Sequence, residues 1–373
     1  MMHKGTLRRW LAGATLVLWA SPALGRSASG DTPQIQNARV ETRTLPSSLN
    51  DEVQRWVASS TKARWLGYSV PQVGGQHEIC CSNYRGNSDR CGTCTLEGEH
   101  SGVNINSNNK VDNTIRLESS GELAVMLRAE GSTLSKIRVF SMQCTVDGGG
   151  LDILWLENVK SSDSVAMLEK FVTASKSLSE EARHDSLSKG ALTAIALHDD
   201  ASADRALQSF ASPEQRDGLR RETAFWLGEA RGAEGLRTLQ KMARSDPSPW
   251  VREQVTFALS VGDQPNALNE MIRMAHEDQS PHVRGQALFW LAQKAGKQAE
   301  NTISGAIEND PDTEVKKKAV FALSQMPKDE GVPKLIEVAQ TNKNPEVRKQ
   351  AMFWLGQSED PRALAFFEKI LTP

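Results

Sequence analysis

The sequence lacks the motifs and the charge excess that would point at once to a function. It contains no His-Glu-x-x-His motif, no Gly-x-Ser-x-Gly motif and no glycine-rich phosphate loop. It has no basic excess, with 44 Lys and Arg against 46 Asp and Glu, so we expect no nucleic-acid partner. After its N-terminal segment it has no apolar run that could span a bilayer. We therefore predict a protein that is not an enzyme and has no integral membrane anchor once mature.

The longest apolar run, residues 10–20, comes after a basic start that contains Lys4, Arg8 and Arg9. Small residues of the kind that a signal peptidase recognises come next and end at Gly25. This pattern predicts a signal peptide at residues 1–25 and export to the periplasm or the exterior of a bacterium. Its removal takes 3 of the 44 basic groups and leaves 41 against 46 acidic groups, a net charge of about −5. The alternative is an uncleaved membrane anchor.

Cysteine is scarce, and none occurs after residue 144. In an oxidising compartment we expect these side chains to form structural disulfides that staple a loop rich in Gly, Ser and Asn. Because the number is odd, one thiol stays free, pairs with another molecule or joins a metal site, and the connectivity stays open. The disulfide candidates are Cys80, Cys81, Cys91, Cys94 and Cys144.

Two other hypotheses compete for the same loop. His77 and Cys80, together with Cys91 and Cys94, have the spacing of a four-ligand zinc site. Cys91 and Cys94 alone form a Cys-x-x-Cys pair, which would be a thiol–disulfide redox motif if it began a helix. Covalent haem is excluded because Thr95 stands where a histidine is required. We expect no cofactor, with zinc as the alternative.

Residues 26–160 are predicted to form a smaller β-rich α+β domain. A helix is expected at residues 50–58 with Ser48 or Asn50 as its cap, and the Asp-Gly-Gly-Gly run at residues 147–150 is typical of a hairpin turn. Connecting helices should occupy residues 161–186, and the domain could cover the exposed end of the helical part that begins at residue 187. The strand-like runs lie at residues 62–70, 122–129, 137–146 and 151–159.

Residues 187–373 carry an internal repeat of 32 residues. Each unit reads as two amphipathic helices separated by turns rich in Asp, Asn, Ser and Pro. We therefore predict a mainly α protein, a right-handed α-α superhelix of about six two-helix repeats. The Phe, Asp and Arg columns contain Phe225, Phe257, Phe289, Phe321 and Phe353; Asp246, Asp278 and Asp310; and Arg252, Arg284 and Arg348.

The Val-Arg-x-x-x-x-Phe-Ala-Leu string at residues 251–259 and the Val-Arg-x-x-x-x-Phe-Trp-Leu strings at residues 283–291 and 347–355 resemble short HEAT repeats, of the kind also found in phycobilin-lyase-like proteins. The resemblance implies that the Asp and Arg columns form a ladder between neighbouring units. Trp226, Trp290 and Trp354 alternate with alanines and are expected to pack in the core. A chromophore-lyase role rests on analogy of fold alone.

The function that we expect is that of an exported, non-catalytic scaffold that presents its solenoid to a protein partner. The second helix of each unit should line the concave side, where exposed columns do not repeat along the chain. Arg237, Lys241 and Arg273 are the candidate contact residues on that side. A zinc-binding or thiol-redox protein acting through residues 77–94 is the alternative.

Overall fold

The computed structural model describes residues 34–74, 94–97, 121–142, 144–173 and 181–372. The described first part of the chain contains two helices and the strands of two sheets. In chain order these are β1 (Ile35–Gln36), β2 (Arg39–Thr44), α1 (Leu49–Ala58), β3 (Arg64–Pro71), β4 (Cys94–Thr95), β5 (Glu122–Glu130), β6 (Thr133–Ser141), β7 (Val146–Asp147), β8 (Asp152–Glu157) and α2 (Ser161–Thr173). The predicted cap of α1 is confirmed, because the Ser48 hydroxyl accepts a hydrogen bond from the Asp51 N–H at 3.2 Å.

The strands form a large sheet in the order β2-β8-β3-β5-β6 and a small one in the order β1-β7-β4. β3, β5 and β6 are antiparallel neighbours, whereas β8 runs parallel to both β2 and β3. The β5–β6 hairpin turns at Gly131 and Ser132, whose φ angles of 57° and 58° suit a two-residue turn. The runs predicted at residues 62–70, 122–129 and 151–159 are confirmed as β3, β5 and β8, whereas the run predicted at residues 137–146 overlaps β6 only at residues 137–141.

The hairpin predicted at residues 147–150 is wrong. Gly149 and Gly150 do turn the chain, with φ angles of 67° and 78°, but they lead from β7 in the small sheet to β8 in the large sheet, and these strands do not pair. The turn bonds to a distant segment instead, since the N–H groups of Gly148 and Gly150 donate to the carbonyls of Gln36 and Asn37 at 2.8 and 2.7 Å. A local glycine pattern cannot reveal such a non-local partner.

The large sheet buries both of its faces. Leu66, Tyr68 and Val125 point into a core that the sheet shares with helices. Trp65 and Trp155 point the other way, into a smaller separate cluster. This division results from the two-residue period of a strand, which sends successive side chains to opposite faces.

Six two-helix units complete the chain. In each unit a first helix packs against a second helix and against the first helices of its neighbours. Among the described residues no helix is both long and apolar enough to cross a membrane. The pairs are α3 (Glu181–Leu197) with α4 (Ala201–Phe210), α5 (Asp217–Ala230) with α6 (Gly232–Ser245), α7 (Pro249–Val261) with α8 (Ala267–Glu277), α9 (Pro281–Ala295) with α10 (Glu300–Asn309), α11 (Thr313–Ser324) with α12 (Lys328–Thr341), and α13 (Pro345–Gln357) with α14 (Pro361–Leu371).

Neighbouring first helices pack more closely than neighbouring second helices do. At Gly228 of α5, an added Cβ would lie 2.2 Å from the Ala258 carbonyl oxygen of α7, which explains the small residue in that column. Our expectation that the second helices line the concave side stays a prediction.

The sheet covers the first unit of the solenoid. Helix α3 lies so close to β6 that a Cβ on Gly190 would be 2.4 Å from the Ile137 carbonyl oxygen. Backbone hydrogen bonds join the end of β3 to the end of α3, from the Val73 N–H to the Leu197 carbonyl at 2.8 Å and from the Asp199 N–H to the Pro71 carbonyl at 2.9 Å. The described residues therefore form one compact unit with a continuous apolar core.

A ladder of Arg–Asp pairs links neighbouring units. Arg220, Arg252 and Arg284 each donate two hydrogen bonds, at 2.8 and 3.0 Å, to the aspartate 26 residues later. These aspartates, Asp246, Asp278 and Asp310, are buried. Each also accepts a hydrogen bond from a backbone N–H two residues on, so the pair also holds the turn between units.

The ladder changes character at its next step, where both partners differ. Lys316 replaces the arginine and donates to the Glu308 carbonyl at 2.6 Å. Asn342 replaces the aspartate and donates to the Glu308 carboxylate at 2.9 Å. No buried charge pair is needed at this step, since the neutral amide leaves no unpaired carboxylate.

We expect Asp278→Ala to lower the free energy of unfolding by about 3–5 kcal/mol, because it leaves the Arg252 guanidinium without its carboxylate in a largely buried site. Asn342→Ala is the matched control and should cost less, about 1–3 kcal/mol, because it removes one hydrogen bond to the Glu308 carboxylate and one from the Asn344 N–H without leaving a buried charge unpaired. Urea unfolding followed by circular dichroism measures both. Equal losses in the two variants would show that the charge pair contributes nothing beyond the turn.

Candidate functional site

The predicted metal and redox residues lie mostly beyond the described part of the chain. Among the residues that the structure describes, no cluster of three His, Cys, Asp or Glu side chains could hold a metal ion. The zinc and thiol-redox hypotheses therefore stay predictions. The candidates outside the described residues are His77, Cys80, Cys81 and Cys91.

The other two cysteines belong to the small sheet. Cys94 begins β4, and its backbone pairs with Val146 of β7. Cys144 comes two residues before Val146 and is fully buried in the cluster that contains Trp65. The fold thus places Cys94 in β4 and Cys144 just before the adjacent strand β7, while the pairing of these disulfide candidates stays a prediction.

A serine and a histidine meet at the junction of the sheet with the solenoid. The Tyr68 hydroxyl lies 2.7 Å from the Ser164 hydroxyl, which lies 2.9 Å from Nε2 of His198. The His198 Nδ1 is 2.6 Å from the Ala194 carbonyl. If Nδ1 carries the proton, Tyr68 donates to Ser164, Ser164 donates to Nε2, and every group is satisfied.

This trio is structural. Tyr68, Ser164 and His198 are all fully buried, so no substrate can reach the hydroxyl. Burial lowers the pKa of His198 to about 4 and raises the pKa of the Tyr68 phenol well above its ordinary value. A neutral imidazole and a neutral phenol fit a polar clasp between β3, α2 and α3.

The candidate contact residues on the second helices differ in how accessible they are to a partner. Arg237 and Lys241 are exposed on α6, and Arg237 forms an ion pair with Glu234 one turn earlier. Arg273 on α8 is a quarter exposed and is held at 2.7 Å by the buried Glu270. Glu270 therefore fixes Arg273 within the protein, which leaves Arg237 and Lys241 as the more accessible pair on that layer.

A continuous series of aromatic rings runs along the first helices. The Phe225 and Phe257 rings stack almost parallel at 6.1 Å, and so do the Phe289 and Phe321 rings at 5.8 Å. A tryptophan fills the gap between one stacked pair and the next, 4.8 to 4.9 Å from a phenylalanine of the preceding unit. The complete series is Trp226, Phe225, Phe257, Trp290, Phe289, Phe321, Trp354 and Phe353.

These rings are not all core residues. Trp226 is buried, as predicted, but Trp290 and Trp354 are partly exposed. The first four phenylalanines of the column are also partly exposed, and Phe353 is 55% exposed. The leucines two positions after them are buried. The first helices therefore place their leucines in the core and present aromatic ring edges to solvent.

Glutamine side chains flank this aromatic stripe, the eight rings from Trp226 to Phe353. One row lies three residues before the phenylalanines and the other lies four residues after them, positions that share a helix face with each ring. The first row is half-buried and the second is exposed. The rows consist of Gln254, Gln286 and Gln350, and of Gln293, Gln325 and Gln357.

Two open cavities lie at the ends of the stripe. The first, of about 500 Å³, is bounded by Phe225, Trp226 and Gln254 together with Arg221. The second, of about 350 Å³, is bounded by Trp354 and Gln357 among others. The stripe thus widens at each end into a space that could accept part of a bound molecule.

Comparison with known proteins assigns the repeat. The model of the HEAT repeats family matches residues 205–292, 268–341 and 300–373. The chain therefore contains HEAT repeats, which confirms the resemblance read from the sequence. The comparison with curated proteins finds no match.

Solved structures with similar helical stacks include the complex of CpcE and CpcF of phycocyanin lyase from Nostoc sp. PCC7120. It is 21% identical, covering 42% of this chain and 99% of that one, with a TM-score of 0.32. Human deoxyhypusine hydroxylase in complex with glycerol is 16% identical over 56% of this chain and 90% of its own, with a TM-score of 0.30. A Kap121p mutant is 15% identical over 52% of this chain and 25% of its own, with a TM-score of 0.34.

The free energy of unfolding should rise as the pH increases from about 4 to about 6.5 because of His198. Its folded-state pKa lies below the ordinary 6.5, so in this window the unfolded chain binds a proton that the folded chain does not. Above pH 6.5 the full contribution, on the order of 3 kcal/mol, is present, and it is lost as the pH falls toward the folded-state pKa.

Urea unfolding at several pH values in this range gives the free energy of unfolding as a function of pH. Its slope against pH should be smaller in His198→Gln than in the unmodified protein. His276→Gln, at the exposed end of α8, is the control and should keep the original slope. A slope that is the same in His198→Gln would mean that another group causes the acid sensitivity.

Trp290→Ala should destabilise the protein less than Leu291→Ala does. Leu291 is fully buried, so its truncation leaves a sealed cavity and should cost about 3 kcal/mol or more. Trp290 is partly exposed, so its truncation opens a groove to water and should cost about 2 kcal/mol. Thermal and urea unfolding of both variants measures which one loses more stability. A larger loss in Trp290→Ala than in Leu291→Ala would mean that Trp290 is a core residue.

Proposed function

We propose that this protein is an exported, non-catalytic scaffold that binds a protein partner on the surface of its first helices. The observation that carries the proposal is the aromatic stripe. Its phenylalanines lie partly exposed beside fully buried leucines on the same helices. Aromatic side chains that remain accessible in a continuous band are typical of protein-binding surfaces.

Two parts of the proposal rest on the sequence alone. Export is supported by the basic start and the apolar run within residues 1–25. The absence of catalysis is supported by the missing active-site motifs. HEAT solenoids present long surfaces built from equivalent positions in successive units, and such a surface suits a macromolecular partner better than a small molecule.

The first-helix surface replaces the second-helix surface as our preferred contact site. It lies on the more closely packed side of the stack, and glutamine recurs in three of the five units in each of two accessible columns. Arg237 and Lys241 on α6 remain the comparison site. They are exposed but belong to columns that differ between units.

Site-specific photo-crosslinking in cells that naturally produce the protein tests this proposal. A benzophenone amino acid replaces Gln286 on α9 in one variant and Lys241 on α6 in the other. Both positions are accessible and lie outside the core, so neither change should affect folding. We expect a crosslink to a defined protein from position 286 and little from position 241.

Crosslinking from position 241 alone would move the site to the second helices and keep the scaffold function. If neither position crosslinks, and further probes at Gln254 and Gln350 also fail, the proposal of a protein partner on the first helices is overturned. Circular dichroism of each variant confirms that the probe leaves the helices intact.

A further inference from the structure

The glutamines of the aromatic stripe have unused hydrogen-bonding capacity. Within the described part of the chain, the side-chain amides of Gln254, Gln286 and Gln350 form no hydrogen bond, and each lies three residues before its phenylalanine. Gln254 and Gln286 lie on adjacent first helices, whereas α11 has Lys318 at this position. An amide carries two N–H donors and one carbonyl acceptor. The fold does not need these groups, so they are available to a ligand that presents partners at the repeat spacing.

The repeat spacing selects a ligand conformation. Packed helices lie about 8–10 Å apart, whereas a polyproline II chain repeats every three residues at 3.1 Å each, or about 9 Å. Residues three apart in such a chain therefore face successive first helices in the same orientation. A β-strand advances a similar distance in three residues but then points the next side chain away, because its period is two.

Hydrogen bonding favours the same conformation. A polyproline II chain has no internal hydrogen bonds, so its carbonyls are free to accept from side-chain amides. An α-helical ligand would already have used its carbonyls within itself. Proline-rich segments also dock on aromatic-lined grooves at a low entropic cost because their conformation is preformed. Phe225, Phe257, Phe289 and Phe321 supply partly exposed rings on this surface, which stack in pairs.

Charge at the two ends of the stripe indicates what flanks the apolar part of the ligand. Arg221, Lys317 and Lys349 each precede a phenylalanine of the column by four residues, about one helical turn. Lys317, inside the stripe, forms an ion pair with Glu314 at 2.9 Å. Arg221 and Lys349, at its ends, are exposed, and neither forms an ion pair with any residue that the structure describes. Four helix spacings separate them, about 32–40 Å, which corresponds to about 10–13 residues of polyproline II.

We infer that the first-helix surface binds a proline-rich segment of its protein partner, about 10–13 residues long, in polyproline II conformation with acidic residues at both ends. This inference rests on the proposed scaffold function and specifies the kind of partner. The glutamines donate to the carbonyls of the segment, the aromatic rings contact its proline rings, and Arg221 and Lys349 pair with its terminal acids.

A fluorescent peptide of about ten prolines between two Asp-Asp pairs is the probe. Its control has the same length and charge but replaces the prolines with a Gly-Ser repeat. Fluorescence anisotropy with the mature protein should show binding of the proline peptide at least about tenfold tighter than that of the control. An equal affinity for both would mean that charge alone attracts them and would overturn the inference.

Variants identify the surface. Gln254→Ala, Gln286→Ala and Gln350→Ala combined should weaken binding of the proline peptide by about tenfold or more, since three amide hydrogen bonds are lost. The matched control removes amides of the second helices, Gln240→Ala, Asn269→Ala and Asn301→Ala combined, and should change the affinity less than about twofold. An unchanged affinity in the first variant would overturn the inference.

The two proposals can fail separately. If position 286 crosslinks to a partner but the proline peptide does not bind, the scaffold stands and the polyproline II assignment is wrong. The same conclusion holds if mass spectrometry maps the crosslink to a segment of the partner without prolines. Binding of the peptide with loss in the first-helix variant, together with a crosslink to a proline-rich segment, supports both.

Discussion

A two-helix unit of about 32 residues cannot bury its apolar faces alone, and the whole structure is arranged around that constraint. Each inner unit is covered by a neighbour on both sides. The first unit has a sheet on its outer side, and Gly190 allows α3 to approach the backbone of β6. As a result one apolar core runs from Leu49 in α1 to Phe366 in α14. The buried clasp of Tyr68, Ser164 and His198 lies where the sheet and the stack meet.

The Arg–Asp ladder orients the units that this core holds together. Apolar packing is non-directional, whereas a guanidinium that grips a carboxylate through two hydrogen bonds fixes both distance and orientation. Arg252, for example, grips Asp278 while it donates to the carbonyl of Asp246 in the turn before it. Close packing of the first helices results, and it brings the rings of Phe225 and Phe257 into contact.

Local patterns predicted the helices well because the information lies within a few residues. Apolar positions one turn apart, together with Pro249, Pro281 and Pro345 at helix starts, mark each first helix. The pairing of β1 with β7 depends on residues far apart in sequence, so the hairpin predicted at residues 147–150 is wrong. The candidate contact residues were predicted on the second helices. The accessible glutamine rows of the first helices were not predicted.

Equivalent positions in the repeat units can be compared with one another. Positions that the fold restrains keep similar residues, and positions that it leaves free do not. One second-helix column contains Arg237, Asn269, Asn301 and Pro333, so a position that packing leaves free holds three residue types in four units. Core and ladder columns stay similar because burial and charge pairing restrain them. The glutamine rows on the first helices fit neither class, since they are accessible and largely without hydrogen bonds among the described residues. Glutamine occurs in three of the five units of each row, and the ligand that we propose, which repeats at the helix spacing, would account for it.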